Sequence, residues 1–458
     1  MKKILSVLIA AMLLVSLFAG AAFAEADTSC DVVVVGGGGA GMTAAIKATE
    51  AGLKVILVEK EARLGGNTLL GSTSFNGAES SVQKAAGVDA SISAWVEKLQ
   101  KGNPSARIEA HQFLAENSAA AVEWLSGIGM DLSRVFNTYS HGTADGSAPG
   151  VKIVDEMQKE MERVGIDYRL DAEATEILKN EAGKVCGVRV NDSYNIEAKA
   201  VIMASGGFAA NAELIAEYDP RWDGLSYSCS GSATGEGTII ARAAGAALSN
   251  MTNVKVNPTA HYIDEKLCFS VAPLRSNGCI IVSHAGVRIV NEEGAYTPNS
   301  EVIVNNGGEV YMVFDQTLVE KIAAVEGYKN GGYLVYADTL EELADKIDID
   351  KEAFLATCAQ YTEYCKNGAD PDFGKTNFST DLTNGPFYAM TAKPAVQGTF
   401  GGISVNERAA VLDEAGNVIE GLYACGECAD EGTMGDAPLT VNVVFGTLAA
   451  KSAAEDLK

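Results

Sequence analysis

Histidine and tryptophan are scarce in this chain of 458 residues, with four of the first and three of the second. The histidines are His111, His141, His261 and His284, so nothing beyond position 284 can supply an imidazole. Proline is sparse too: 10 residues against 48 glycines favour tight turns and close backbone approaches over stiff linkers. Positive charge is in deficit, with 35 basic against 60 acidic residues and a net charge of −25. A chain this acidic repels phosphate backbones and anionic lipid, which excludes general nucleic-acid binding. Cysteine is present nine times but scattered. Only Cys425-Gly-Glu-Cys428 forms a CxxC, and a zinc or iron–sulfur site wants a second pair at comparable spacing. These thiols read as small buried hydrophobes. At 47% hydrophobic and 21% charged residues, the chain can bury a sizeable core and is expected to form two or three domains.

The one long apolar run is at the start. Lys2 and Lys3 precede Ile4 to Ala19, which is interrupted only by Ser6 and Ser16, and Ala22-Phe23-Ala24 fits a small-x-small cleavage site. Residues 1–24 therefore read as a secretory signal, the alternative being an uncleaved anchor for which the run is short. The expectation is an exported protein (periplasmic, cell-surface or extracellular) without stable membrane insertion.

Asp31-Val-Val-Val-Val35 has the pattern of a strand buried on both faces. It runs into Gly36-Gly-Gly38-Gly-Ala40-Gly41, followed by a helix over Met42–Ala51, a second strand at Lys54–Val58 and an acid, Glu59. Strand, GxGxxG, helix, strand and acid together form a dinucleotide-binding unit. Gly36 makes the tight turn, Gly38 lets backbone approach a pyrophosphate, and Gly41 lets the helix pack on the strand. The helix N-terminus faces the phosphates, and Glu59 would accept hydrogen bonds from a ribose diol. Lys60 then leads into Gly65-Gly66-Asn67-Thr68, a polar loop suited to a flavin dinucleotide rather than a nicotinamide one.

These motifs resemble the flavoprotein family of fumarate reductase and succinate dehydrogenase, in particular its soluble flavocytochrome c fumarate reductase branch. The GGNT loop is followed by a small-residue stretch with Thr73 and Ser74. Ser118 to Trp124 is similar to a family helix, and Ala204-Ser205-Gly206-Gly207 to the later glycine turn. Thr234-Gly235-Glu236-Gly237 is similar to a TGDG loop with Glu replacing Asp, and Gly421 to Glu427 to a GLYAAGE segment. The resemblance implies an α/β fold with a discontinuous Rossmann-like FAD-binding domain at residues 28–255 and 399–458. An α+β capping domain at residues 256–398 is inserted into it, with Asp338–Cys365 as its helical part. It also assigns Ala174, Thr440 and Val441 to FAD. No histidine occurs in Leu69–Ala78, so the covalent flavin link of some relatives is not expected. No CxxCH haem site is present either, which implies a separate extracytoplasmic flavin or haem protein as electron donor.

The resemblance breaks down at the substrate. The family's two clamp histidines fall in Asn257-Pro-Thr and in Gly398-Thr-Phe-Gly401-Gly402, and no arginine follows Arg408 to supply the third cation. Arg288-Ile-Val-Asn-Glu292 matches the segment before the family's proton-donor arginine, but the donor position holds Tyr296. The relay arginine is kept as Arg275 while its acidic partner is Ala272. Tyr296 is the expected proton donor, with packing at the domain junction as the plainer alternative. Asn257, His261, Gly401 and Gly402 are the expected substrate neighbours, His261 and His141 being equally readable as structural. The function implied is reduction of an activated C=C bond in a small unsaturated molecule, an enone or an enoate other than fumarate. The alternatives are an α,β-dehydrogenase of a ketone or steroid-like substrate, and a flavin carrier without turnover.

Overall fold

The computed structural model of the chain describes residues 28–265 and 267–458, so the expected signal at residues 1–24 lies outside them. The first strand, β1 (Ser29–Val35), leads into helix α1 (Gly39–Glu50) and strand β2 (Val55–Val58). The helix opens three residues before Met42, inside the glycine run, and Gly38 precedes it in extended conformation with no side-chain cap. Its first turn, Gly39-Ala40-Gly41, carries no side chain larger than a methyl, and the Gly39 N–H donates to Thr68 Oγ1 at 3.0 Å.

Strand β3 (Asp167–Arg169) lies beside β2, strand β4 (Tyr194–Met203) beside β1, and strand β5 (Val418–Ala424) beside β4. All four pairings in the order β5-β4-β1-β2-β3 are parallel, with Val32 opposite Val55 and Val35 opposite Val58. The valines of β1 divide between two cores. Val32 and Val34 pack with Met42, Ile46 and Phe445, the last from helix α2 (Pro438–Asp456), while Val33 and Val35 pack with Ile56, Val201 and Leu422. This is why the strand has no polar alternation. Burying each valine contributes about 1.5–3 kcal/mol relative to exposure.

A second, antiparallel sheet is built from residues 254–399. Its longest strands, Val254–Tyr262 and Phe387–Thr399, pair with each other, and Lys255 lies opposite Gly398. The register shifts between Asn257 and Ala260. One face packs on Leu343, Phe354, Cys358 and Tyr361. These belong to helices Leu340–Lys346 and Lys351–Asn367, where a helical segment was expected. Arg288 and Glu292 are tied into a buried ion cluster. Arg288 Nη2 lies 2.8 Å from Glu292 Oε2 and 2.9 Å from Asp370 Oδ2, and Lys375 Nζ lies 3.4 Å from Glu292 Oε2. Among the described residues, no helix is long and apolar enough to cross a membrane.

Candidate active site

Where β1, β2 and β4 end, their C-terminal edges and the start of α1 border a cavity open to solvent, with about 830 Å³ of empty space. Its lining brings together Gly36, Gly38, Ala40, Glu59, Lys60, Gly66, Asn67, Thr68, Ala174, Ala204, Ser205, Gly206, Glu236 and Glu427, all expected from the sequence. The glycines have the expected surroundings. Gly36 has φ +107° and a Cβ there would collide with the Ala204 carbonyl. A Cβ on Gly41 would strike the Gly36 carbonyl, whereas one on Gly38 would meet nothing nearer than 4.0 Å. Gly38 is thus the open position at which a pyrophosphate can approach backbone.

Polar side chains fix this cradle from distant parts of the chain. Glu59 accepts from the N–H of Gly37 at 2.6 Å and of Glu61 at 2.9 Å, which leaves acceptor capacity on a carboxylate for a diol. Lys60 Nζ lies 2.8 Å from Glu236 Oε2 and donates to Thr234 Oγ1 at 2.5 Å. Burial opposes ionisation of Glu236, but the hydrogen bonds from Lys60 and Thr234 outweigh it and hold its pKa below the usual range. Asn67 donates to Glu427 Oε2 at 2.9 Å and accepts from Ser230 N at 2.7 Å, while Thr399 N donates to Glu427 Oε1 at 3.1 Å. Burial nevertheless pushes the Glu427 carboxyl up. The open approach at Gly38, the small-residue start of α1 at the cavity and the spare acceptor capacity of Glu59 fit FAD.

Other expected residues lie outside the cavity lining. Thr73 and Ser74 sit between the Gly66–Leu70 turn and the strand Phe75–Asn76. Thr440 bonds both main-chain groups of Asn76, at 2.7 and 3.1 Å, and Val441 is in the core. The α2 residue that reaches the cavity is Asn442, whose Nδ2 lies 3.4 Å from Thr68 Oγ1. Gly401 and Gly402 abut the carbonyls of Asn250 and Cys428, so they permit close backbone packing. Asn257 is fully buried, donating to Ser270 Oγ at 2.9 Å and accepting from Thr259 N at 3.0 Å. His261 lies 3.0 Å from the Thr391 carbonyl and packs against Phe269 and Tyr333. His141 lies between Ser80 Oγ at 2.8 Å and the Phe75 carbonyl at 3.3 Å, and burial pushes its imidazole down. Cys425 and Cys428 are buried free thiols, and no metal-binding cluster occurs among the described residues.

Tyr296 and Arg275 do meet. The Arg275 guanidinium lies 4.4 Å from the centroid of the Tyr296 ring, and its Nη1 donates to the carbonyls of Glu292 and Gly294 at 2.8 and 3.0 Å. Sequence reasoning missed a second cation at the same ring: Lys255 Nζ lies 5.2 Å from its centroid. Burial pushes the Lys255 ammonium down, as does Arg275, while Asp436 and Glu427 act in the opposite direction. Also missed was His111, fully buried, with Nε2 2.9 Å from Asp436 Oδ2. The signal for Lys255 was available: it is the one charged residue before His261 in an otherwise buried strand.

The FAD binding domain family matches the chain over residues 31–443. A fumarate reductase (cytochrome) of Shewanella frigidimarina is 33% identical over 453 residues, covering 95% of this chain and 79% of that protein. A urocanate reductase of Eggerthella lenta is 30% identical, covering 93% and 75%. The solved open conformation of a flavocytochrome c3 fumarate reductase superposes with a TM-score of 0.83 at 30% identity, covering 96% of this chain and 81% of that one. The protein is thus a flavoprotein oxidoreductase of mixed α/β fold. It belongs to the FAD binding domain family and, within it, to the fumarate reductase-like enzymes that use FAD to act on C=C bonds.

Proposed function

We propose that the protein is an exported FAD-dependent reductase of an activated C=C bond other than that of fumarate, with Tyr296 as proton donor. The observation that carries this reading is the Arg275–Tyr296 stack at 4.4 Å, combined with Asn257 and Gly398 at the positions of the family's clamp histidines. FAD, when bound and reduced, supplies a hydride. Gly36, Gly38, Glu59, Lys60, Asn67 and Glu427 would hold it. The alkene takes up that hydride at one carbon and a proton at the neighbouring carbon, so two electrons and two hydrogens are added in all. The phenol O–H of Tyr296 donates the proton, and the adjacent guanidinium stabilises the phenolate left behind. Residues 256–398 act as the cap that closes this chemistry from water over the FAD-binding parts, residues 28–255 and 399–458. Lys2, Lys3 and the apolar run to Ala19 support export, and the proposed electron donor is a separate extracytoplasmic flavin or haem protein. A steady-state assay with reduced viologen dye tests the reading. Enoates or enones should be consumed with formation of the saturated product by NMR. Viologen oxidation by fumarate alone would exclude it.

A further inference from the structure

We infer that Lys255 receives the single carboxylate of the substrate, which makes the substrate class a monocarboxylate 2-enoate. This rests on the reading of the site as a C=C reductase. Lys255 stands beside Tyr296 on the strand Val254–Tyr262, opposite Gly398. A Cβ built on Gly398 would lie 3.2 Å from Glu427 Oε1, so this end of the sheet abuts the cofactor cradle. Among the described residues, the Lys255 ammonium has no hydrogen-bond or ion-pair partner and lies over the Tyr296 ring. Of the two carboxylates whose charge reaches Lys255, Glu427 accepts from Asn67 and Thr399, and Asp436 Oδ2 lies 2.9 Å from His111 Nε2.

Arg275, the other cation at this ring, also has no carboxylate partner. Its Nη1 donates to main-chain carbonyls and its Nε is buried without a partner. Two cations without a contacting carboxylate therefore flank one phenol in a chain of net charge −25. Secluded charges of this kind are costly unless an anion completes them.

The chemistry locates that anion. The proton is added to the carbon bonded directly to the carboxylate, so a cation next to the proton donor places the carboxylate beside it. Negative charge also develops on the carboxylate oxygens as the hydride arrives, and an ammonium there stabilises it. Glu427 and Asp436, the acids whose charge reaches Lys255, disfavour a second carboxylate on the substrate. A neutral enone would leave Lys255 without an anion.

Ligand binding to the oxidised FAD-loaded protein separates charge recognition from turnover. The probes are 3-phenylpropanoate and its primary amide, followed by perturbation of the flavin absorbance. The native protein is expected to bind the acid at least tenfold more tightly than the amide. Lys255→Met should weaken acid binding about 10- to 100-fold, the range for losing a charge-assisted hydrogen bond, with little change for the amide. Lys255→Arg should restore part of the acid preference, and equal FAD content in the variants shows that the fold is kept. Should Lys255→Met not load FAD, Lys255→Gln serves as the same test. The inference is overturned by an unchanged acid-to-amide ratio in the neutral variant, by native preference for the amide, or by no acid binding at millimolar concentration. Failure of the reductase reading looks different: native reduced flavin is then not reoxidised by any enoate or enone, whatever the ratio.

Discussion

The guanidinium of Arg275 lies 4.4 Å from the centroid of the Tyr296 ring, held there by the carbonyls of Glu292 and Gly294. Because those carbonyls belong to the segment just before Tyr296, donor and cation move as one unit. Tyr296→Phe keeps the ring and removes only the hydroxyl. It should retain FAD but lower the rate of reduced-flavin reoxidation by about 10²–10⁴, the usual contribution of a general acid. Anaerobic single-turnover absorbance measures this directly. Near-native reoxidation in the variant would move the proton source elsewhere.

Glu59 and the loop after it should govern FAD retention. Glu59→Ala removes the ribose acceptor together with the bonds to Gly37 and Glu61. Binding should weaken by about 1.5–3 kcal/mol or more. Titration of the apoprotein with FAD, followed by flavin fluorescence, gives the value.

The FAD should also be held without a covalent bond. Leu69–Ala78 contains no histidine, and both ring nitrogens of nearby His141 are engaged with Ser80 and Phe75. Acid precipitation should release FAD into a yellow supernatant. Flavin that stays with the pellet would contradict this.

The buried cluster around Arg288 should dominate local stability between residues 278 and 375. Arg288→Met strands Glu292 and Asp370, both fully buried side chains, and should cost about 3–5 kcal/mol in chemical denaturation. The cluster also has a pH signature. Burial works against ionisation of Asp370, but Arg288 outweighs it and holds the carboxyl below its usual range. A depressed folded-state pKa means that the contribution is complete above the unfolded value of about 3.9. It is lost as pH falls through the folded value. Asp370→Asn should therefore be less stable at neutral pH and show a shallower acid limb below about pH 4.

Much of the cofactor site was legible because its signals are local. β1, the glycine run, α1, β2 and Glu59 follow one another within about 30 residues, the usual span of such a unit. The Lys60–Glu236 pair was visible only as two separate motif residues, since they lie 176 positions apart in the chain. Helical phase explains the slip from Thr440 and Val441 to Asn442: each residue turns the side chain by about 100°, so one position decides which side chain reaches Thr68. Strand phase misled in the same way at His261. The register shift between Asn257 and Ala260 breaks simple alternation, and the imidazole ends in an aromatic cluster. Lys255 escaped because a lysine in a strand reads as solvent-facing until the fold brings Tyr296 over it.

The most direct test of the central claim is anaerobic stopped-flow reoxidation of the dithionite-reduced protein by three substrates in parallel. These are a monocarboxylate 2-enoate, the corresponding methyl ketone enone and fumarate. The account predicts fastest reoxidation by the enoate, and fumarate slower by about 10²-fold or more, the cost of losing even one charge-stabilising donor in such a site. Fumarate reoxidising the flavin as fast as the enoate, or no reoxidation by any of the three, would contradict it.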